Sequence, residues 1–298
     1  MNSHIRFFLR RHPFIKYSLK PLAHLHSWSV RRRMRPRVEL YEWLRNVLME
    51  DPVVKLSDFQ GMFTLDIRSD LFRRFVIERT YEPELAALCV TQLQSMGDRD
   101  AIDVGANVGF FTTLIAKNIS IGRKVLAIEP TPNASRRLAR NILQNNVNDY
   151  VIVFVGAASA SSGRTEISIV EGKEEYSSLG SMSHPDICRD RFRKASVEIR
   201  TIDALVEQFA LRPGFMKVDV EGFEHMVFRG AQKVLEKHRP IIISELSDFM
   251  LRRNGSSAEE VINIIKSAGY RVVNPFLPHL PAEISAFGDI LCLPIGEQ

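Results

Sequence analysis

The sequence predicts an α/β fold in which helices cover both faces of a doubly wound, mostly parallel sheet. Three observations support this prediction. The 298-residue chain is 45% hydrophobic, it contains short continuous segments rich in Val and Ile, and these segments alternate with helical ones. Continuous apolar strands are typical of a sheet covered on both faces, and regular alternation with helices is typical of parallel sheets.

The elements follow in chain order. A strand pair is expected around residues 53–66, and Glu82-Pro83-Glu84 predicts the start of a helix at 82–95, because proline and acids suit a first helical turn. Further strands are expected at 100–104, 124–129, 151–155, 215–220 and 241–246, and helices at 109–118, 133–146, 222–237 and 257–268. The last strands, 270–274 and 287–293, are joined by too short a connection for a helical crossover, which predicts a terminal antiparallel hairpin.

Positive charge is concentrated at the start of the sequence. Residues 1–40 contain ten Lys and Arg against one acid, so this segment has a formal charge of +9. Since the whole chain has a formal net charge of +5, the remaining residues together carry −4. This distribution argues against nucleic-acid binding by the main domain. Lysines and arginines interrupt every apolar run of residues 1–40, here called the arm, which argues against a secretory signal. The chain also has no apolar run long enough to predict a membrane-spanning helix.

Two interpretations of this arm stay open. Aromatic residues alternate with its cations, as in segments that lie on anionic membrane surfaces. Alternatively, it forms two short helices, broken at Pro13 and Pro21, that cover the main domain.

We divide the chain into a basic helical extension, residues 1–52, and a domain at residues 53–298. Three cysteines without metal-type spacing suit a cytoplasmic protein, peripheral at the inner membrane face if the arm binds lipid.

A glycine-containing loop, DVGANVGFFT at residues 103–112, follows the first strand of the alternating region and opens a helix. Ligands of open α/β sheets bind at this place. A dinucleotide site needs G-x-G-x-x-G, whereas this loop has G-x-x-x-G with Asp103 before it. Asp103 can meet the ammonium group of S-adenosylmethionine while loop amides meet its carboxylate, and Glu129, at the end of the next strand, can accept hydrogen bonds from both hydroxyls of a ribose.

A third stretch, KVDVEGFE at residues 217–224, ends the strand expected beside the first one. Lys217 and Asp219 share one strand face, and a buried cation there needs Asp219 or Glu245 as its partner. A carboxylate at the end of an interior strand is costly, so Asp219 is expected to have a functional role. Glu224 fits equally well as a favourable charge in the first turn of a helix.

Taken together, DVGANVGFFT, AIEPTPN and KVDVEGFE resemble the FkbM-type family of S-adenosylmethionine-dependent methyltransferases, over about residues 60–293. The resemblance implies a Rossmann-like class I methyltransferase fold with a seven-stranded sheet. It also implies S-adenosyl-L-methionine as cofactor, with these residues around it: Glu82, Asp103, Gly105, Ala106, Asn107, Gly109, Phe110, Thr112, Glu129, Pro130, Asn133 and Ala157. The acid that reads adenine in many such enzymes is missing from Val155–Ser159, which leaves backbone groups or Ser159 for this role.

The family's activity implies transfer of a methyl group to a hydroxyl of a sugar, glycan or secondary metabolite. Such an acceptor gains from a base that takes its proton, and Asp219 is the first candidate, followed by Glu221 and His225. We expect no metal, although Asp219, Glu221 and Glu245 are oxygen ligands that suit magnesium. The long segment 171–195 is expected either to select the acceptor, using Tyr176, Ser177, Ser178 and His184, or to form a flexible surface loop.

The sequence also allows two other functions. A nicotinamide-dependent oxidoreductase is disfavoured by the glycine spacing. A non-catalytic, membrane-associated assembly protein that uses the fold as a scaffold is favoured by the basic arm and disfavoured by the intact cofactor residues.

Overall fold

The computed structural model describes residues 35–48, 50–170, 192–282 and 287–296. Its strands are β1 Val53–Leu56, β2 Gly61–Thr64, β3 Asp100–Val104, β4 Val125–Ile128, β5 Val151–Phe154, β6 Ala157–Ala158, β7 Gly163–Val170, β8 Phe192–Arg200, β9 Pro213–Val218, β10 Ile241–Ser247, β11 Tyr270–Asn274, β12 Leu277–Pro281 and β13 Phe287–Pro294. Its helices are α1 35–47, α2 Asp70–Glu78, α3 Pro83–Ser95, α4 Phe110–Asn118, α5 Pro132–Gln144, α6 Ile202–Gln208, α7 Glu224–Arg229, α8 Asp248–Arg253 and α9 Ala258–Ser267.

The central sheet has the strand order β12-β11-β13-β10-β9-β3-β4-β5. The five strands from β10 to β5 are parallel, and β13 lies antiparallel between β10 and β11. The doubly wound fold with a terminal hairpin is therefore confirmed. An eighth strand, β12, pairs with the outer side of β11, where the sequence predicted only a loop. Its prolines suggest a loop, but an edge strand tolerates proline because one side makes no ladder hydrogen bonds.

Two hydrophobic clusters lie on opposite faces of this sheet. One contains Ala101 and Phe215, together with apolar residues of α3, α4 and the β1–β2 hairpin. The other contains Ile102 and Met216, together with residues of α6, α7 and α9. Successive side chains of a strand point to opposite faces. Asp103 and Lys217 therefore share the first face with Ala101 and Phe215.

The predicted helix at 222–237 was wrong in its extent. Glu221 and Gly222 have φ angles of 53° and 94°, so the backbone is left-handed where the helix was expected to begin. Helix α7 starts at Glu224 and ends before Gly230, and a π-helical segment follows at Val234–His238. A side chain at Gly230 would lie 2.1 Å from the carbonyl oxygen of Ser159, so this close approach requires glycine.

Several elements were not predicted. Helices α2 and α6 are capped by Ser69 and Thr201, whose side chains accept hydrogen bonds from Phe72 N and Ala204 N, and α8 follows β10 directly. Strands β6, β8 and β7 form a separate three-stranded sheet. The expected helices before residue 35, and the segment from residue 171 to 191 with its acceptor-binding candidates, lie outside the described residues.

Helix α1 is the described part of the basic extension. Tyr41 is buried against the ring of Phe72, with 6.2 Å between ring centroids, whereas Leu40, Trp43 and Val47 are exposed. None of the described helices combines the length and the apolar character needed to cross a bilayer. The domain division at residues 52 and 53 stays a prediction.

Candidate active site

The glycine loop joins β3 to α4. Gly105 and Gly109 have φ angles of 83° and 91°, which favour glycine. A side chain at Gly105 would lie 1.8 Å from the carbonyl oxygen of Asp219, so the loop after β3 and the loop after β9 touch here through their backbones. The amides of Gly105 and Ala106 donate to the carbonyl of Ile128. These two amides are thus engaged within the protein.

Asp103 lies at the entrance of this loop and is only 1% exposed. The hydroxyl of Thr112 donates to its Oδ2 atom at 2.6 Å, while Oδ1 is buried and has no hydrogen-bond partner among the described residues. Burial raises the pKa of this carboxyl group, and Lys217 and Thr112 oppose the rise. A buried carboxylate oxygen without a donor is suited to a ligand that brings one, such as an ammonium group.

Glu129 follows β4 and is held from two sides. The backbone amide of Asn107 donates to Oε2 at 2.9 Å, and the amide and hydroxyl of Thr131 donate to Oε1 at 2.8 and 2.6 Å. An ionised carboxylate accepts about four hydrogen bonds, so this orientation leaves limited further capacity. The hydroxyl of Thr131 can rotate to another acceptor, which would admit a second donor from a ligand.

Lys217 and Asp219 lie at the carboxyl end of β9. The two form an ion pair in which Nζ of Lys217 lies 2.9 Å from Oδ2 of Asp219. The lysine ammonium also lies 4.4 Å from the centre of the Phe111 ring, within the range of a cation–π contact. Burial alone would lower the pKa of Lys217, but the carboxylates of Asp219, Asp103 and Glu82 together raise it above its ordinary value.

Further acids surround this ion pair. Glu245 on β10 is the register partner of Asp289 on β13. Burial raises the pKa of Glu245 well above its usual range and that of Asp289 to about 7, and neighbouring carboxylates add to both effects. Oxygen atoms of Asp219, Glu221 and Glu245 lie within 4.8 Å of one another, close enough for one cation to contact all three. The expectation that no metal is used stays a prediction.

A cavity opens at the carboxyl ends of β3, β4 and β9. Ten of the residues predicted from the sequence line it: Asp103, Gly105, Ala106, Asn107, Phe110, Glu129, Pro130, Ala157, Asp219 and Glu221. The structure therefore brings the three motifs into one site. Chain segments far apart in sequence meet here because the carboxyl ends of parallel strands lie at the same edge of a sheet.

Five predicted residues do not line this cavity. Gly109 packs against Leu138, where a side chain would lie 2.6 Å from Cδ1. Thr112 donates a hydrogen bond to Asp103. Glu82 lies near Lys217, and burial raises the pKa of the Glu82 carboxyl group. Asn133, in the first turn of α5, accepts a hydrogen bond from Arg136. Ser159, the alternative adenine contact, also lies outside the cavity lining.

His225 is the last of the five predicted residues that do not line the cavity, and it is buried beside Glu224 in α7. Its Nδ1 atom has no partner in the described part of the chain, its ring stacks on Phe223, and burial lowers its pKa. Glu224 accepts hydrogen bonds from the amides of Gly222 and Val220 and so holds the left-handed loop before α7. The structural interpretation of Glu224 therefore fits the geometry.

Several lining residues were missed from the sequence. They include Leu71, Tyr81, Val108, Phe111, Thr131, Ile167 and Lys217. Tyr81, Phe110 and Phe59 form an aromatic group with ring centroids 5.3 to 6.1 Å apart. The sequence does mark Lys217, because it is a lysine in an otherwise apolar strand and lies two residues from a carboxylate. Its position in the cavity wall, however, depends on the pairing of β9 with β3.

A scan against protein families matches residues 103–272 to the methyltransferase FkbM domain, which is more than half of the chain. The chain belongs to the FkbM methyltransferase family. This membership confirms the resemblance inferred from the three motifs. It also confirms the expected cofactor, S-adenosylmethionine, which the orphaned oxygen of Asp103 and the close backbone approach at Gly105 both fit.

Comparison with solved structures gives more distant likenesses. The FkbM methyltransferase of Methylobacillus flagellatus KT is 19% identical with a TM-score of 0.42, and the alignment covers 66% of this chain and 43% of that one. This FkbM chain thus spans less than half the length of that protein. An O-methyltransferase of Bacillus cereus, in complex with SAH, is 15% identical with a TM-score of 0.45, covering 88% and 100%.

A SAM-dependent O-methyltransferase of Thermotoga maritima is 11% identical with a TM-score of 0.42, covering 76% of this chain and 72% of that one. A search of curated proteins found no match.

Proposed function

We propose that this FkbM-family protein is an O-methyltransferase that methylates a hydroxyl of a sugar, a glycan or a secondary metabolite. The observation that carries the proposal is the cavity, in which Glu129, Asp103 and Asp219 face one space from the ends of three neighbouring strands. This arrangement supports a site in which Glu129 would hold the ribose, Asp103 the amino group of the cofactor, and Asp219 would act as the base for an acceptor hydroxyl.

The cofactor half of the site consists of the glycine loop, Asp103 and Glu129. Asp103 would accept a hydrogen bond from the amino group of the cofactor through its buried Oδ1 atom, while Thr112 holds the other oxygen. Glu129, oriented by Asn107 and Thr131, would accept from the ribose hydroxyls. When bound, the cofactor supplies a methyl group that its sulfonium centre already activates.

The acceptor half is centred on Asp219, which would take the proton of the acceptor hydroxyl. Lys217 holds Oδ2, and the described residues give no hydrogen bond to Oδ1, so this oxygen can face an acceptor. Glu221 also lines the cavity and is the second candidate. His225 is buried away from the cavity lining, which makes it the weakest of the three.

Calorimetric titration with S-adenosylhomocysteine tests the cofactor half. Wild type should bind, and Glu129→Ala should bind about 100-fold more weakly, because each hydrogen bond to a charged group contributes about 1.5 kcal/mol or more and two would be lost. Glu166→Ala, which removes an exposed acid paired with Lys194, is the control and should bind like wild type. If the folded wild-type protein does not bind, the non-catalytic scaffold replaces the enzyme as the better hypothesis.

Transfer of a labelled methyl group tests the acceptor. Incubation with a panel of sugars and glycans, followed by mass analysis, should give products one methyl group heavier on oxygen. Methylation confined to amines would contradict the proposed O-specificity.

We also propose that the protein is cytoplasmic and contacts the inner face of a membrane through residues 1–40, with helix α1 continuing this contact beyond residue 40. The exposed Leu40, Trp43 and Val47 of α1 support this proposal, as does the excess of cations in the preceding sequence. Full-length protein should sediment with vesicles that contain anionic lipid, and Trp43→Ser should weaken sedimentation, unlike the control Phe249→Ser, at a side chain with similar exposure. Equal binding of both variants would contradict a contact through α1.

A further inference from the structure

A lysine in the cavity wall is the cation that faces both functional acids. Lys217 is 4% exposed and is the register partner of Asp103 across the β3–β9 ladder. Its ammonium lies against Phe111 and is bonded to Asp219, two residues along the same strand face. One charge thus interacts with both the acid assigned to the cofactor and the acid assigned to the acceptor.

Burial of a lone ammonium group is costly, and it is tolerated only beside opposite charge. Here the nearby carboxylates of Asp219, Asp103 and Glu82 keep Lys217 charged. Lys217 in turn affects the charge of the carboxyl groups around it. A carboxyl group buried as deeply as Asp103 would tend to hold its proton, and the positive charge of Lys217 opposes this tendency.

The charge state of Asp103 matters for its assigned role. A carboxylate attracts an ammonium group and accepts a charge-assisted hydrogen bond, whereas a protonated carboxyl offers a weaker neutral acceptor. The other groups that face Asp103 are Asp219 on β9, Thr112 on α4 and Cys89 on α3. Burial raises the pKa of the Cys89 thiol, which is therefore neutral, so Lys217 is the cation in this set.

We propose that Lys217 is a positioning residue of the cofactor site, which keeps Asp103 ionised in the free protein so that it can accept the cofactor's ammonium group. This inference rests on the proposed function, because it assumes that the amino group of the cofactor binds at Asp103. It assigns Lys217 no contact with the reacting atoms.

The wild-type protein provides the first test. Calorimetric titration with S-adenosylhomocysteine at pH 7, in buffers of different ionisation enthalpy, counts the protons exchanged on binding. If Asp103 is already ionised, binding releases no proton from it. Release of about one proton would mean that Asp103 is protonated in the free protein, which would overturn this inference while leaving the proposed function intact. Absence of binding would instead contradict the proposed function, and this inference with it.

Variants provide the second test. Lys217→Met should bind S-adenosylhomocysteine more weakly at pH 6 than at pH 8, with a loss of about tenfold for each pH unit below the raised pKa of Asp103. Lys217→Arg keeps the charge and should show the flat pH profile of wild type, as should the control Lys194→Met at an exposed ion pair. A loss in Lys217→Met that is equal at both pH values would overturn the inference. If Lys217→Met does not fold, the wild-type proton count decides alone.

Discussion

The backbone contact between Gly105 and Asp219 makes a sharp prediction for Gly105→Ala. A Cβ atom at this position would lie 1.8 Å from the carbonyl oxygen of Asp219, and the residue has a φ angle of +83°. The same two loops are tied by a hydrogen bond of 3.0 Å from the amide of Asp219 to the carbonyl of Val104. The substitution therefore adds both backbone strain and a collision with backbone that carries the candidate base.

Gly122 separates these two contributions. It has a φ angle of +82°, and nothing lies within 4 Å of a Cβ atom placed there. Alanine in a left-handed conformation costs about 1–2 kcal/mol, so Gly122→Ala should lose about that much stability. Gly105→Ala must also open the contact from 1.8 Å to at least 3.0 Å, and overpacking of this kind costs about 1–3 kcal/mol more.

Urea unfolding of both variants measures this difference in the free energy of unfolding, and cofactor binding and methyl transfer measure its effect on the site. A displacement of about 1 Å at a reacting group can lower a rate by about 100-fold. Gly105→Ala should therefore lose turnover by about this factor, while Gly122→Ala should keep the wild-type rate. Equal stability and equal turnover in the two variants would refute the claim that the loops touch at Gly105.

Two further predictions concern acids after β9. Asp219→Asn should keep S-adenosylhomocysteine affinity but lose most methyl transfer, since the amide cannot take a proton; full activity would remove Asp219 from the mechanism. Glu224 is 2% exposed, and burial raises its pKa to about 7, above the value of about 4.3 in unfolded chains. Because the folded protein then holds the proton more tightly, this carboxyl should destabilise the fold as pH rises from about 4.5 to 7, by about 3 kcal/mol. Urea unfolding at pH 5 and 7.5 should show a loss that is smaller by about this amount in Glu224→Gln than in wild type, because Asp289 and Glu245 still contribute in both proteins, and parallel pH profiles would contradict the assignment.

The parallel part of the fold could be predicted because its signals are local. Strands β3, β4, β5, β9 and β10 are short and mostly apolar, with many Val and Ile residues, as is typical of parallel strands that are covered on both faces. Helices α2 and α6 have weaker local signals, because they are short and each begins after a single capping residue, Ser69 or Thr201. Strand β12 was missed because its prolines are acceptable only at an edge, and edge position is a property of the sheet rather than of the segment.

The candidate site could be predicted where it depends on strand ends. Asp103, Glu129 and Asp219 each follow or end a parallel strand, so their convergence at one edge follows from the order of the strands. Asp289 could not be found in this way. It lies on the antiparallel strand β13, and its position opposite Glu245 depends on a register that only the folded hairpin defines.

The contact between the two loops bears on how the halves of the site work together. Gly105 belongs to the loop that would hold the cofactor, and Asp219 begins the loop that would face the acceptor, yet their backbones approach so closely that no side chain fits between them. A cofactor that shifts the first loop must therefore shift the carbonyl of Asp219 as well. Lys217 adds an electrostatic link, because its ammonium interacts with Asp103 and Asp219 together. Cofactor binding and the orientation of the base are thus expected to depend on each other, even though their residues are more than 100 positions apart in the sequence.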